Sequence, residues 1–350
     1  MRHIRIWAYD GILASGVAGP IDVFAAANSV WADKNGNQRG TAPLFEWRVE
    51  SPDGKPVRTA SGQIVNVDGP INARTAADAV IVPGPFVADV ARFLDKLDVL
   101  QPLLLGLRRQ HERGALLASY CTGSFLLAEA GLLDGRVATT HWALAKAFEK
   151  RYPQVDLRAT EVMTEQNGVL CSGAVTTYFN LALRLVEKFA GANLAAATAK
   201  MLLIDTNRIS QASYTTLTVQ DQQGHSDVLV ARAQRWMEKH LHQSFRLAEL
   251  ACHLAVSERT VNRRFKLAIG EAPLRYLQSL RIDVAKRLLE TKGLNVDAVS
   301  ERVGYGDLST FRRLFRRETG LSPREYQRRF SRRHHTRTAP LEPVSGRATR

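Results

Sequence analysis

The last third of the chain carries one pattern twice, at a constant offset of 50 residues. Ala248, Thr260, Arg263, Phe265, Gly270, Pro273 and Tyr276 return as Ala298, Thr310, Arg313, Phe315, Gly320, Pro323 and Tyr326. A repeat constrains folding more than composition does, because both copies must build the same unit. Each reads as a short helix, a turn and a second helix rich in arginine. A helix-turn-helix unit lays its second helix in a major groove, so two in one chain point to a reader of double-stranded DNA. Charge agrees with this. Residues 1–225 hold 22 Lys+Arg against 21 Asp+Glu, whereas residues 226–350 hold 26 against 13. Nearly all of the +14 net charge therefore lies with the repeat, as expected of a nucleic-acid module joined to a near-neutral partner.

In the first copy Arg246–Leu254 forms the leading helix, with Leu247, Leu250 and Leu254 on one face. Ser257 caps the next helix, Glu258–Leu267, in which Val261 and Phe265 face inward. Arg259, Thr260, Asn262, Arg263 and Lys266 remain on the outer side. In the second copy Asp307 caps Leu308–Glu318, with Phe311, Leu314 and Phe315 inward and Ser309, Thr310, Arg312, Arg313, Arg316 and Arg317 outward. Arginine pairs bidentately with guanine and asparagine with adenine, so side chains near each helix start suit base edges, and arginines further along suit phosphates. Pro273 opens a long helix, Leu274–Glu290, that joins the two units.

A length of 350 residues predicts two or more domains. No apolar run is long enough for a membrane span, and the N-terminus reads as a strand rather than a signal peptide, so a cytoplasmic protein without a membrane partner is expected. Three widely spaced cysteines fit reduced thiols, with Cys171 and Cys252 as small apolar packing residues. No metal-ligand spacing and no phosphate-binding glycine loop occurs, so no cofactor is expected.

Residues 1–190 alternate strand-like segments (Ile4–Tyr9, Phe45–Glu50, Ala79–Val82, Leu116–Tyr120) with helical ones (Pro20–Ser29, Leu97–Glu112, Gly123–Leu132). Such alternation predicts an α/β flavodoxin-like layer with a mainly parallel sheet and helices on both faces. An α/β domain 1–204 (a sensor, on the resemblance given below), a linker 205–226, an all-α DNA-binding domain 227–330 and a disordered basic tail 331–350 are expected. Ala118-Ser119-Tyr120-Cys121-Thr122-Gly123-Ser124 reads as strand, sharp turn and helix, which exposes Cys121 at the carboxyl edge of the sheet. A helix N-terminus there would lower the thiol pKa, and His141 would stand by as a base.

Residues 227–330 resemble the AraC/XylS regulators, on Gly304-Tyr305, Phe311, Phe315, Gly320, Ser322-Pro323 and Tyr326. Residues 3–190 resemble the PfpI-like branch of the class I glutamine amidotransferase-like superfamily. That likeness rests on Ala18-Gly19-Pro20, Val82-Pro83-Gly84, Cys121-Thr122-Gly123, Gly131–Arg136 and Thr140-His141-Trp142. The combination is similar to regulators described as GlxA-like. The resemblance implies a homodimer, RNA polymerase as a partner, activation of transcription, and a small effector, for which a nitrogen-containing metabolite is the expectation. Its binding cleft would gather Gly16, Pro85, Phe86, Cys121, Thr122, His141 and Trp142.

Active members of that superfamily carry an acid where this chain has Gly16, and a glycine N–H in the oxyanion hole where it has Pro85. Proline has no N–H to donate, and one lost donor costs about 2–4 kcal/mol of transition-state stabilisation. A catalytically degenerate sensor is the expectation. A working Cys121/His141 hydrolase or hydratase fused to a DNA-binding domain is the alternative, and a redox-sensing Cys121 also stays open.

Overall fold

The computed structural model describes residues 1–34, 42–85, 93, 97–206, 210–215, 226–291 and 294–331. Phe86, residues 207–209 and 216–225 of the expected linker, and the basic tail beyond Ser331 lie outside the described residues. The chain divides into two compact units, Met1–Ala212 and Ser213–Arg350, so the division falls inside the segment 205–226.

The first unit is built from strands β1 (Arg2–Trp7), β2 (Phe45–Ser51), β3 (Val57–Arg58), β4 (Ile64–Val65), β5 (Gly69–Pro70), β6 (Ala79–Val82), β7 (Leu116–Tyr120), β8 (Val137–Ala138), β9 (Asp156–Leu157), β10 (Met163–Gln166) and β11 (Val169–Ser172). Seven of them form one sheet in the order β10-β11-β7-β6-β1-β2-β5. Every neighbouring pair is parallel except β10 with β11. The central strands are the four expected apolar runs, and β6 is buried along its whole length, as a strand covered on both faces must be. Phe45 of β2 meets Phe24 and Phe189, which places helices Ala14–Lys34 and Tyr178–Ala190 on one face. Trp7 of β1 meets helix Gln101–Glu112 on the other, where Gly106 leaves the indole room.

The sequence reading passed over β10 and β11. These strands form an antiparallel hairpin turning on Asn167-Gly168, both at positive φ (48° and 78°). An Asn-Gly pair between two short β-compatible runs is the turn that such hairpins favour, so the signal was present. The hairpin extends the sheet beside β7, because β11 pairs with it in parallel.

The second unit is helical: Val228–His240, Leu247–Leu254, Glu258–Ile269, Pro273–Thr291, Val296–Arg302, Leu308–Thr319 and Pro323–Phe330. It holds two cores. One gathers Val230, Met237, Leu250, Val261, Phe265 and Tyr276, the other Ile282, Leu289, Val299, Phe311, Phe315 and Tyr326. The single helix Pro273–Thr291 contributes to both, with Tyr276 to Leu280 in the first and Ile282 to Leu289 in the second. The sequence repeat is a packing repeat. Tyr276 meets Phe265 edge-on at 5.7 Å, and Tyr326 meets Phe315 edge-on at 5.4 Å. Gly270 and Gly320 end the two arginine-rich helices in the left-handed conformation, with φ of 87° and 74°.

Candidate effector pocket and DNA-reading helices

Cys121 follows β7 at φ 57°, a left-handed conformation unusual for a residue with a Cβ, and helix Gly123–Glu129 starts two residues later. Its N–H donates to the carbonyls of Ser172 and Gly173 at 2.9 and 2.7 Å, so the β11 end pins the turn from below. The elbow also lies against the turn after β6. A Cβ on Gly84 would come within 2.5 Å of the Thr122 nitrogen, and one on Gly123 within 2.4 Å of the Val82 carbonyl. The Thr122 hydroxyl donates to the Pro85 carbonyl at 2.8 Å. These contacts account for Val82-Pro83-Gly84 and Cys121-Thr122-Gly123 as one interlocked structure. The strain at Cys121 is held there by its surroundings.

The expected activation of the thiol does not occur. Cys121 is 4% exposed, and burial pushes its thiol up to about 11, against a smaller opposing effect of hydrogen bonds from Thr122. The thiol form is therefore favoured over the nucleophilic thiolate near neutrality. Desolvation wins over the helix start because the sulfur is enclosed. No hydrogen bond joins Cys121 to His141 among the described residues. His141 instead caps the turn that follows it, its Nδ1 accepting from the Ala143 N–H at 3.1 Å, and burial holds its imidazole below the usual range. A buried, capping imidazole with no hydrogen bond to Cys121 is not arranged as a base poised on a thiol. Its ring lies 5.3 Å from that of Trp142.

Gly16 has a physical reason. A Cβ there would fall 1.9 Å from the hydroxyl of Tyr120, and one on Gly19 would fall 2.2 Å from the ring of Tyr178. Tyr120 and Tyr178 stack edge to face at 5.6 Å, so two aromatic rings fill the space beside the start of helix Ala14–Lys34. The Tyr120 phenol abuts Gly16, and its oxygen is buried and makes no hydrogen bond among the described residues. Burial holds that phenol protonated, well above its ordinary range. Sequence reasoning did not bring Tyr120 to Gly16, because Tyr120 comes from β7, over 100 residues away.

A second residue that sequence reasoning missed lies beside the elbow. Gln211, read as linker, is 2% exposed and packs under the elbow. Its side-chain amide donates to the carbonyls of Thr140 (2.9 Å) and Ala159 (2.7 Å), and its oxygen accepts from the Ala174 N–H at 3.2 Å. Gly173 is required beside it, since a Cβ there would meet the Gln211 amide at 2.4 Å. Thr140 in turn donates from its hydroxyl to the Cys121 carbonyl at 3.2 Å and accepts from Ser124 at 2.8 Å.

In the second unit, Ser257 accepts from the Thr260 N–H and Asp307 from the N–H groups of Ser309 and Thr310, as capping residues do. Val261, Phe265, Phe311, Leu314 and Phe315 are buried. Arg259, Arg263 and Lys266 are exposed at helical spacing, and Ser309, Arg313 and Arg316 repeat that exposed stripe 50 residues on. Asn262, Thr260 and Thr310 are half-buried beside it, while Ser257 and Arg312 are exposed. Arg317 is exposed but engaged. It donates to Glu318 at 2.9 Å and to Gln278 of the joining helix at 3.2 Å. Arg264 is committed too, binding Asp227 with two nitrogens at 2.7 and 2.6 Å. Cys252, expected in packing, is exposed because it lies on the outer side of helix Leu247–Leu254. Among the described residues no cluster of side chains could hold a metal ion, and no helix is long and apolar enough to cross a membrane.

A family model for DJ-1/PfpI proteins matches residues 9–188, and one for a helix-turn-helix domain matches residues 250–329. The HTH-type transcriptional regulator CdhR of Pseudomonas aeruginosa is 31% identical over 314 residues, spanning 89% of this chain and 88% of that protein. GbdR of the same species, also an HTH-type transcriptional regulator, is 27% identical over 303 residues, spanning 87% and 80%. The HTH-type transcriptional regulator Rv1931c of Mycobacterium tuberculosis is 29% identical over 266 residues, spanning 73% and 96%. With its α/β unit and its doubled helix-turn-helix unit both accounted for, the chain belongs to the DJ-1/PfpI family and to the AraC-type helix-turn-helix transcriptional regulators.

Proposed function

We propose that this regulator activates transcription from the cytoplasm, as a homodimer that engages RNA polymerase, when a small nitrogen-containing metabolite occupies the pocket around Gly16, Cys121, Thr122, His141 and Trp142. The observation that carries the DNA-reading part is the pair of matched stripes, Arg259/Arg263/Lys266 and Ser309/Arg313/Arg316, on two capped helices joined by one continuous helix. Two such helices suit successive major grooves. The sensing part draws support from an enclosed elbow whose thiol is protonated and whose histidine serves as a cap.

Selection from a random duplex pool with the full-length protein tests the reading. Enrichment of a site with two elements about one helical turn apart is expected. An unenriched pool would overturn it. Reporter expression that rises when the gene is deleted would overturn activation.

Gln211 supports a route for the signal. Its amide holds the Thr140 carbonyl, and Thr140 holds the Cys121 carbonyl. Two residues later, in the second unit, the Ser213 hydroxyl donates to the carbonyl of Thr319, the last residue of the second arginine-rich helix, at 2.8 Å. Tyr214 stacks edge-on with Phe330 at 5.2 Å, and buried Lys286 donates to the Thr215 carbonyl at 2.8 Å. The residues after Gln211 are thus fastened to the recognition unit. Gln211→Ala is expected to raise deuterium uptake both at 139–143 and at 213–215. A rise confined to 139–143 would break the proposed route.

A further inference from the structure

A cavity of about 700 Å³ opens on the face of the sheet covered by helix Gln101–Glu112. It shares no lining residue with the elbow pocket, and its volume suits a small molecule. Four arginines line it, Arg5, Arg48, Arg74 and Arg109, against two carboxylates, Glu50 and Asp68. Glu50 is heavily engaged, whereas Asp68 accepts one backbone N–H through a single oxygen. Glu50 accepts from Arg5 Nη1 at 2.9 Å, from the Trp7 indole at 3.0 Å and from the Asn72 N–H at 3.4 Å. Asp68 accepts from the Val49 N–H at 2.8 Å.

The arginines are not used up in the same way. The Arg5 side chain is only 8% exposed, and its hydrogen bonds, to Glu50 and to the Asn72 carbonyl, all leave from Nη1. Its Nε and Nη2 donate to nothing among the described residues, yet neither is a sealed, orphaned atom. A guanidinium this deep keeps two donor nitrogens open only where space adjoins it, and the adjoining space is the cavity. Arg74 and Arg109 are exposed on the same wall and make no side-chain hydrogen bond or ion pair among the described residues. Guanidinium groups with free forks bind carboxylates strongly and in fixed geometry. Pro70, Ile71, Pro102 and Leu105 supply apolar surface beside them, and Leu105 is 48% exposed.

We propose that this cavity is a second ligand site, which takes a small organic acid. Its carboxylate would sit among Arg5, Arg74 and Arg109, and its carbon skeleton against Ile71 and Leu105. A bare cationic patch would attract any anion, whereas an apolar wall beside recessed arginines selects an acid with a hydrocarbon body. The site lies away from Cys121, so the inference stands whether or not the elbow pocket binds an effector.

Calorimetric titration of the full-length protein with benzoate, succinate and citrate tests this, with benzamide and inorganic phosphate as controls. Saturable binding of at least one acid is expected. The joint substitution Arg74→Gln with Arg109→Gln should weaken it by roughly tenfold or more, the scale of lost charge-assisted hydrogen bonds. Both residues are exposed, so the melting temperature should not move. Failure of all three acids to saturate would overturn the proposal, as would equal affinity for benzamide or undiminished binding in the double variant. Phosphate binding as tightly as the acids would overturn the assignment to organic acids.

Discussion

At position 264 of the first helix-turn-helix copy stands an arginine, fixed on Asp227 through two hydrogen bonds. At the equivalent position 314 of the second stands a leucine, buried in the core. The neighbouring positions diverge as well. Asn262 answers to Arg312, Arg259 to Ser309, and exposed Leu267 to Arg317. Two inward positions stay apolar and buried in both copies, Val261 with Phe311 and Phe265 with Phe315, whereas the third, Leu314, has no apolar counterpart in the first copy. A fold repeats where side chains must fill a core, and varies where they face solvent or a partner. The first copy offers Arg, Asn and Arg for base edges. The second offers a denser run of arginine, part of which is committed to Glu318 and Gln278. We read the first as weighted to specificity and the second to affinity.

The comparison breaks first at the cores, if it breaks at all. Phe265→Ala and Phe315→Ala should each destabilise the second unit by about 3–5 kcal/mol, measured by chemical denaturation. A large effect from one and none from the other would mean that the copies are not packed alike. Next come the surface stripes. Arg263→Ala and Arg313→Ala should each weaken operator binding by about 1–3 kcal/mol where the arginine reads a base, while a phosphate contact would weaken all sequences alike and flatten the salt dependence. Anisotropy titrations at several salt concentrations separate the two. Arg317→Ala should do least of the three, since its guanidinium already has protein partners.

The smallest expected difference lies in the caps. Ser257 is neutral, whereas hydrogen bonds from the Thr310 side chain and from the Thr310 and Ser309 N–H groups hold the Asp307 carboxyl below its ordinary value. A depressed folded pKa contributes stability above the unfolded value, and that stability is lost as pH falls through the folded one. The protection factors of the Ser309 and Thr310 amides, corrected for the intrinsic slowing of exchange in acid, should therefore fall on acidification through the carboxylate range, while that of Thr260 changes less. Ser257→Ala should cost about 1 kcal/mol at any pH. Identical pH responses at the two helix starts would contradict the assignment of the caps.

The repeat was legible because a helix-turn-helix is written locally. Caps, buried positions and terminal glycines recur at helical spacing within a few turns of one another, so Ser257, Phe265 and Gly270 mark their own roles. The central strands were legible as apolar runs. The β10–β11 hairpin was announced by Asn167-Gly168 and went unread because the following helix dominated the pattern. Gln211 was not legible at all. Nothing in a polar stretch of chain says that one amide will find the carbonyls of Thr140 and Ala159, more than 50 residues back.

By itself the sequence determined the doubled helix-turn-helix, the layered α/β unit and the charge split. Only the tertiary structure decided that Tyr120 packs against Gly16, that burial keeps the Cys121 thiol protonated, that His141 is a cap, and that Arg5 keeps two donors open beside a cavity. The division has a physical reason. Helical period and capping depend on neighbours a few residues away. Desolvation and steric exclusion depend on whatever the fold brings alongside.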